Sequence, residues 1–412
     1  MNTIDLRSDG ASALTTGRES TGRNDAFTFW KLPEPWRGAL NSSVAYSRII
    51  AEWYLLEGYR ASANEDSDLT MRLYYAIKNF IPQKTRHLIR SWLFALRTRQ
   101  VFPKWPCEDA LLEFCIDWAL RSLETVGGTD AWHIAFWPEG KTSCAVLTHD
   151  VEGPAGFDRM EAVADLEESY GFRSAWNLPL DQYPIDWTAV EKLRARGFEF
   201  GAHGLRHDGM LFRSRKHFLE LAPRVESLAR EHGLRGFRSP STLRNPQWIS
   251  EMDFDFDCSF ADSDPYEPQP GGTCSIFPFF LGDVVELPYT LPQDHTLINL
   301  LRRDPVPIWI EKMQWIASRG GMILALTHPD YSGSGALMRG YEELLKRLKD
   351  LESCWHALPA QVASWWRRRA GLEMHLCDGR PLIVGADTRG AVARRLLTES
   401  ILDGRGDLWP AF

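Results

Sequence analysis

Residues 144–153 read CAVLTHDVEG, an apolar run that is followed directly by His149, Asp150 and Glu152. The apolar run predicts a buried β-strand. On an extended chain Asp150 and Glu152 face the same way, whereas His149 faces the opposite way. Two neighbouring carboxylates repel each other unless a proton or a cation lies between them. The stretch therefore predicts a strand that ends either in a solvated loop or at a bound ligand.

The pattern on both sides of this strand predicts the fold class. From residue 141 to residue 328, short apolar runs such as RSAWNL and MILALTH alternate with helical patterns such as DWTAVEKLRARG. Strand–helix–strand repetition predicts an α/β fold with a parallel sheet, either open or closed into a barrel. Four predicted helices end at a glycine, the residue that most often terminates a helix: Gly171, Gly197, Gly233 and Gly320.

The chain divides into four predicted segments. Residues 1–25 are polar and rich in Ser, Thr and Gly, which predicts a disordered tail. Residues 26–137 have helical, aromatic-rich patterns and are expected to pack on a barrel formed by residues 138–370. Residues 371–412 are expected to form a C-terminal hairpin and tail, because apolar alternation surrounds Asp378-Gly379.

Residues 84–100, KTRHLIRSWLFALRTRQ, predict an amphipathic helix within the N-terminal region. Its apolar side chains recur at helical spacing and are surrounded by Lys and Arg. The favoured interpretation is a helix that packs its apolar stripe on the main domain and solvates its arginines. A basic amphipathic helix can also lie on an anionic membrane surface, so peripheral membrane contact stays open.

Composition excludes several classes of protein. The 412 residues carry a net charge of −8, which argues against a dedicated nucleic-acid binder. The seven cysteines are scattered without a CxxC pair, so neither a disulfide framework nor a thiolate zinc site is indicated. No apolar stretch is long enough to cross a bilayer, and the N-terminus lacks the pattern of a secretory signal. A cytoplasmic protein is the expectation.

Four of the apolar runs end in chemically reactive side chains. In barrels of parallel strands the functional groups lie at the C-terminal ends of the strands, so four such endings together predict one site. These residues are Asp150 and Glu152, His203 and His207, Arg238, and His328 with Asp330. Taken alone, an HxxxH pattern or an Asp-x-Glu pattern often arises by chance. His149 is interpreted as a packed or surface histidine without a role in the site.

The spacing of His203 and His207 is that of the HExxH zinc helix, but residue 204 is glycine and the protease glutamate is missing. The two histidines also follow a strand rather than lie in a periodic helix. A zinc protease is therefore excluded, although both imidazoles can still bind one ion from a turn. Two histidines and one carboxylate with an open position form a standard catalytic zinc set.

The order of these motifs resembles that of the polysaccharide deacetylases, the NodB-homology family of carbohydrate esterases. The matching segments are THDVE, HGLRH, RSP, DFDCS and LALTH, and they span residues 141–330. The resemblance implies a distorted barrel of about seven β/α units, in agreement with the strand–helix rhythm. Here Glu152 stands where the family usually has an aspartate.

The resemblance also implies a role for each matched residue. It makes Asp150 the general base and His328 the general acid. Glu152, His203 and His207 would be the ligands of a divalent metal, most simply Zn²⁺. Arg238 would orient Asp150, and the backbone N–H near Ser241 would be an oxyanion donor. The aspartate that tunes His328 is left open among Asp255, Asp257, Asp262 and Asp330, with Asp257 as first choice. Tyr289, the stretch ELPYTLPQDHTL at residues 286–297 and the PGG at residues 270–272 are expected to shape the substrate cleft.

The function implied is that of a metal-dependent hydrolase that removes an N-acetyl or O-acetyl group from a carbohydrate in polysaccharide or glycoconjugate biosynthesis. Two alternatives remain at this stage. The same site could hydrolyse a non-sugar amide, because the chemistry of a site does not name its acyl donor. A catalytically silent, carbohydrate-binding relative is the other, and the full set of site residues argues against it.

Overall fold

The computed structural model describes residues 23–62, 102–128, 131–331 and 335–396. Most of the predicted tail of residues 1–25 and the whole predicted amphipathic helix of residues 84–100 lie outside this described part. Asp25, at the end of the predicted tail, is buried and caps the first helix by accepting from the Thr28 backbone N–H at 2.7 Å. Within the described part, no helix is both long enough and apolar enough to span a membrane.

The strands of the described part are β1 (Ala131–Ile134), β2 (Ser143–Asp150), β3 (Ala175–Leu178), β4 (Glu199–Ala202), β5 (Gly236–Phe237), β6 (Phe256–Asp257), β7 (Phe279–Leu281), β8 (Val284–Glu286), β9 (Met322–Thr327), β10 (Cys354–His356), β11 (Glu373–Cys377), β12 (Arg380–Val384) and β13 (Ala393–Leu396).

The α-helices are α1 (Ala26–Trp30), α2 (Pro35–Ala39), α3 (Asn41–Leu55), α4 (Ala110–Thr125), α5 (Pro154–Phe157), α6 (Met160–Tyr170), α7 (Trp187–Ala195), α8 (Arg215–Glu231), α9 (Pro246–Ile249), α10 (Pro305–Ser318), α11 (Gly335–Lys349) and α12 (Pro359–Ala370).

The central sheet is curled and built mainly from parallel strands. β2, β3, β4, β5, β6 and β8 pair in that order, each parallel to the next, and β9 pairs parallel on the other side of β2. Beyond β8, the backbone N–H groups of Thr290 and Leu291 donate to the Leu324 carbonyl of β9 at 3.1 Å. These bonds return the sheet to its first strands, which confirms the predicted distorted α/β barrel.

Local sequence explains the barrel units. Every residue of β2 is buried, as expected of a parallel strand that is covered on both faces. The four predicted helix-ending glycines all have positive φ, from 65° to 95°. Gly171, for example, ends α6 in the left-handed region, where its N–H reaches the Glu167 and Glu168 carbonyls. Each such turn directs the chain from a helix into the next strand.

The N-terminal helices share one hydrophobic cluster with the barrel. Arg369 of α12 is buried and its guanidinium donates to the carbonyls of Phe29, Ile134 and Ala135. Near the C-terminus, β11 and β12 form the predicted hairpin, with positive φ at both Asp378 and Gly379. The chain then returns to the N-terminal region, because β13 pairs antiparallel with β1.

Candidate active site

The end of β2 separates its polar side chains between two faces. His149 is 1% exposed, with Nδ1 2.7 Å from Thr327 Oγ1 and Nε2 2.7 Å from Glu167 Oε1. Its ring also stacks on Trp176. It is therefore a packed core residue. Asp150 and Glu152 contact a different set of residues, the strand-end side chains described below, so the predicted alternation holds.

Glu152, His203 and His207 converge at the C-terminal ends of β2 and β4. Each offers one ligand atom, and these atoms all lie within 4.8 Å of one another. Glu152 Oε1 is 3.0 Å from His207 Nε2. Burial would raise the pKa of Glu152, but His207, His328 and His203 hold it well below the ordinary value, so Glu152 is an anion. The three residues that the resemblance names as metal ligands thus converge in the structure.

The orientation of His203 fits a metal ligand. Its Nδ1 lies 3.0 Å from the Arg238 carbonyl, and a carbonyl can only accept, so Nδ1 carries the proton and Nε2 keeps its lone pair. His203 Nε2 is buried and lacks a hydrogen-bond partner among the described residues. Burial lowers the pKa of His203 to about 4, which keeps the ring neutral. A buried lone pair without a partner, beside a carboxylate and a second imidazole, suits a divalent cation.

Gln182 connects the two loops that carry these ligands. Its Nε2 donates to the Glu152 carbonyl, and its Oε1 accepts the His207 backbone N–H. The Glu152 backbone N–H in turn donates to Asp330 Oδ2 at 2.9 Å. Sequence reasoning missed Gln182, since one glutamine in the loop after β3 carries no distinctive signal. Asp330, considered for tuning His328, instead holds the Glu152 loop.

Asp150 is buried beside the ligand set. Its Oδ1 accepts from Asn177 Nδ2 at 2.8 Å and lies 3.4 Å from Arg238 Nη1, while Oδ2 is 3.9 Å from His203 Nε2. Burial would raise the pKa of Asp150, but Arg238, His203 and His328 keep it below the ordinary value. The structure therefore places Arg238 against Asp150 as expected and leaves Asp150 an oriented, ionised carboxylate.

His328 lies at the end of β9, with Nε2 3.7 Å from Glu152 Oε1. On its other side Nδ1 is 2.7 Å from Asp294 Oδ1, and the His328 backbone N–H donates to Asp294 Oδ2 at 2.8 Å. Burial would lower the pKa of His328, but Asp294 raises it to about 10. The ring is thus a cation that can donate a proton from Nε2.

The prediction that Asp257 tunes His328 is wrong, because Asp294 occupies that place. Asp257 accepts from Ser259 Oγ at 2.6 Å, and burial raises its pKa. Asp255 pairs with Arg235, and Asp262 pairs with Lys312. Asp294 lies in the stretch that was expected to shape the substrate cleft, but its pairing with His328 was missed, because LPQDHTL has neither a matching motif nor a strand-end position.

Ser241 lies in the turn Pro240–Thr242, which we call the oxyanion turn. Ser241 and Thr242 have φ of 55° and 49°, a left-handed conformation that non-glycine residues rarely adopt. The turn lies next to the His203 loop, because a Cβ placed on Gly204 would come 3.1 Å from Pro240 Cγ. The structure thus brings the predicted oxyanion segment beside a predicted metal ligand.

Taken together, an anionic base, an open ligand set and a cationic acid lie within one site. That combination supports hydrolysis of an acyl group, in which water is deprotonated on one side and a leaving group is protonated on the other.

No protein-family model matches the chain, and no curated protein does. Among solved structures, a Mycobacterium smegmatis protein described as a polysaccharide deacetylase is 20% identical, with 56% of this chain and 92% of that chain covered and a TM-score of 0.44. Puue allantoinase is 14% identical, with 56% of this chain and 92% of that chain covered and a TM-score of 0.46. The peptidoglycan deacetylase PdaC from Bacillus subtilis is 16% identical, with 56% of this chain and 94% of that chain covered and a TM-score of 0.37.

The resemblance to polysaccharide deacetylases thus reappears among solved structures. A CE4 family pseudoenzyme is also among them, with a TM-score of 0.35. At TM-scores below 0.5 these likenesses carry no weight for activity, and the chain's own geometry decides the function proposed for it.

Proposed function

We propose that the protein is a metal-dependent hydrolase that removes an acetyl group from an N-acetylated or O-acetylated carbohydrate. The observation that carries the proposal is the convergence of Glu152, His203 and His207 between Asp150 and His328. Two imidazoles and one carboxylate leave a tetrahedral ion with an open position, the composition of a catalytic zinc site. Zn²⁺ is therefore the ion that we propose.

The chain's own side chains supply the proton transfers. When bound, the ion would lower the pKa of a water molecule and polarise the acyl oxygen. Asp150 Oδ2, beside the ligand set, is placed to take the proton of the attacking water, and Arg238 and Asn177 hold its other oxygen. His328 then donates the proton of Nε2 to the leaving nitrogen or oxygen. An amine leaves poorly without that proton. By contacting His328, Asp294 therefore favours cleavage of the bond between the acyl carbon and the leaving group.

The oxyanion turn contributes the remaining charge stabilisation in this proposal. The Ser241 backbone N–H donates to the oxygen that becomes negative as the acyl carbon turns tetrahedral. A fixed backbone donor costs no reorganisation during the reaction, which is why such donors are effective.

A carbohydrate substrate is favoured by the aromatic surroundings of His328. The ring of Tyr331 lies 5.3 Å from that of His328, and the rings of His295 and Tyr331 are 5.7 Å apart. Both Tyr331 and His295 are partly exposed, so they can contact the faces of a sugar ring. We propose a role in polysaccharide or glycoconjugate biosynthesis in the cytoplasm, where the seven free thiols would stay reduced.

The test is acetate release by purified protein whose metal content has been measured. Acetylated nucleotide sugars, lipid-linked saccharides and free chitooligosaccharides would be compared, with Asp150→Asn as the matched inactive control. We expect one equivalent of a divalent metal and acetate release from one saccharide class. If the protein binds metal but hydrolyses only non-sugar amides, the proposed carbohydrate substrate is wrong and a non-sugar amide takes its place. Absence of both bound metal and acetate release would indicate a silent relative.

A further inference from the structure

A buried ion pair joins the N-terminal region to the mouth of the barrel. Glu57, just after α3, accepts from Arg244 Nε at 3.0 Å through Oε2 and from Arg244 Nη2 through Oε1. Both residues are 5% exposed or less. Arg244 lies in the loop after β5, at the end of the barrel where the site residues gather. A two-point contact of this kind fixes the plane of the guanidinium.

The same guanidinium supports the oxyanion turn. Arg244 Nη1 donates to the Thr242 carbonyl at 3.1 Å and to the Gln269 carbonyl at 3.0 Å. Ser241 and Thr242 are both left-handed, a conformation that persists only where surrounding contacts hold it. Glu57 therefore orients a side chain that holds the C-terminal end of the turn.

The backbone at Glu57 is itself left-handed, with φ of 55°, at a position after a helix where glycine is usual. Its segment fits closely against residues 270–272. Tyr59 Oη donates to the Gly272 carbonyl at 2.7 Å and accepts the Gly272 N–H at 2.9 Å. Gly271 has φ of 138°, a conformation that other residues rarely adopt, and a Cβ placed on it would lie 2.7 Å from Glu57 Oε1. The segment that carries Glu57 is thus packed directly against residues 270–272 at the mouth of the barrel.

We propose that Glu57 is a positioning residue for the oxyanion turn, acting through Arg244, and that the N-terminal helical region is thereby part of the catalytic unit. The inference rests on the proposed function, in which the Ser241 N–H stabilises the developing negative charge. Glu57 touches no reacting atom, so its effect is on rate through the placement of that donor.

The experiment is Glu57→Gln in the full-length, metal-loaded protein, with p-nitrophenyl acetate as the probe. This activated ester needs the oxyanion donor but no protonation of its leaving group. We expect kcat to fall about 10- to 100-fold, part of the loss for removing a whole oxyanion donor. KM and metal content should stay near those of the wild type, whereas the melting temperature should fall, because the Arg244 guanidinium stays buried without its counter-charge.

The matched control is Asp109→Asn. Asp109 also joins the N-terminal region to the barrel, through an ion pair with Arg319 at 3.4 Å that does not touch the turn. The Asp109→Asn substitution should leave kcat unchanged. Equal kcat for Glu57→Gln and Asp109→Asn would overturn the proposal.

Arg244→Lys provides a second test, which also serves if Glu57→Gln does not fold. Lysine keeps the charge but cannot hold Glu57 and the Thr242 carbonyl with one planar group. We expect a similar loss of kcat, and no additional loss in the double variant, because the two residues act as one unit. Additive losses would contradict the inference.

The saccharide assay separates this inference from the proposed function. If the wild type releases acetate from no saccharide but Glu57→Gln still slows ester hydrolysis, the substrate class fails and the positioning role stands. Hydrolysis of neither saccharide nor ester by the metal-loaded wild type would overturn both.

Discussion

Asp294 holds His328 at two points, with Oδ1 2.7 Å from Nδ1 and Oδ2 accepting the backbone N–H at 2.8 Å. Asp294 is fully buried, so its charge is little screened by water. The contact fixes the ring so that Nε2 faces Glu152 and keeps His328 protonated. A general acid is thereby oriented and charged by one carboxylate.

Asp294→Asn should lower kcat about 10- to 100-fold. A general acid typically accelerates a reaction about 10²- to 10⁴-fold, and the substitution would weaken His328 as an acid without removing it. His328 acts only when protonated, so activity is lost as pH rises through its pKa. Asp294 raises that pKa. Without the carboxylate, the alkaline limb of the rate profile should therefore move to lower pH. An unshifted alkaline limb, measured as kcat/KM against pH, would contradict the role of Asp294.

His203→Ala should abolish both metal binding and activity, because it removes a buried lone pair that no other described residue satisfies. Metal content of the purified variant is the measurement. His375→Ala, in the β11–β12 hairpin, is the matched histidine control and should retain the ion. Full metal occupancy in His203→Ala would show that the ion binds elsewhere.

Asp150→Asn should retain the metal and lose turnover by about 10²- to 10⁴-fold, the usual contribution of a general base. Asp150 lies beside the ligand set but is not one of the three converging ligands. Metal analysis and acetate release on the same preparation check both parts. Turnover near that of the wild type would remove Asp150 from the mechanism.

Gln182→Ala should weaken metal affinity about 10- to 100-fold, the typical effect of losing a residue that orients metal ligands. The substitution removes both the bond to the Glu152 carbonyl and the bond from the His207 N–H. Competition with a chelator measures the affinity. Gln247→Ala, an exposed glutamine in α9, is the control and should bind metal as the wild type does.

Glu199→Gln should change how stability depends on pH. Burial raises the pKa of Glu199 from 4.5 to about 7. The folded state therefore holds the proton more tightly than the unfolded state, and this stabilisation is complete below the ordinary pKa and lost as pH rises through about 7. The glutamine side chain does not titrate, so the variant should gain stability relative to the wild type between about pH 5 and about pH 8. Denaturant unfolding at both pH values measures this, and a constant difference would contradict it.

Much of the fold follows from local patterns. The apolar run of β2, the alternation of strands with helices and the glycines after helices each reflect a preference that neighbouring residues set. That polar side chains after several parallel strands meet at one edge also follows from the pattern. The resemblance to the polysaccharide deacetylases singled out Glu152, His203 and His207 among them as ligands, and the three meet in the structure.

Only the tertiary structure decided which residues support that set. Asp294 lies 34 positions from His328, Gln182 lies 25 from His207, and Glu57 lies 187 from Arg244. Such pairs depend on how loops of irregular backbone pass one another, and no periodicity or spacing encodes those paths. The sequence thus determined the barrel and the residues at its mouth, since both depend on short-range pattern. The groups that orient and charge those residues were decided by packing between distant segments.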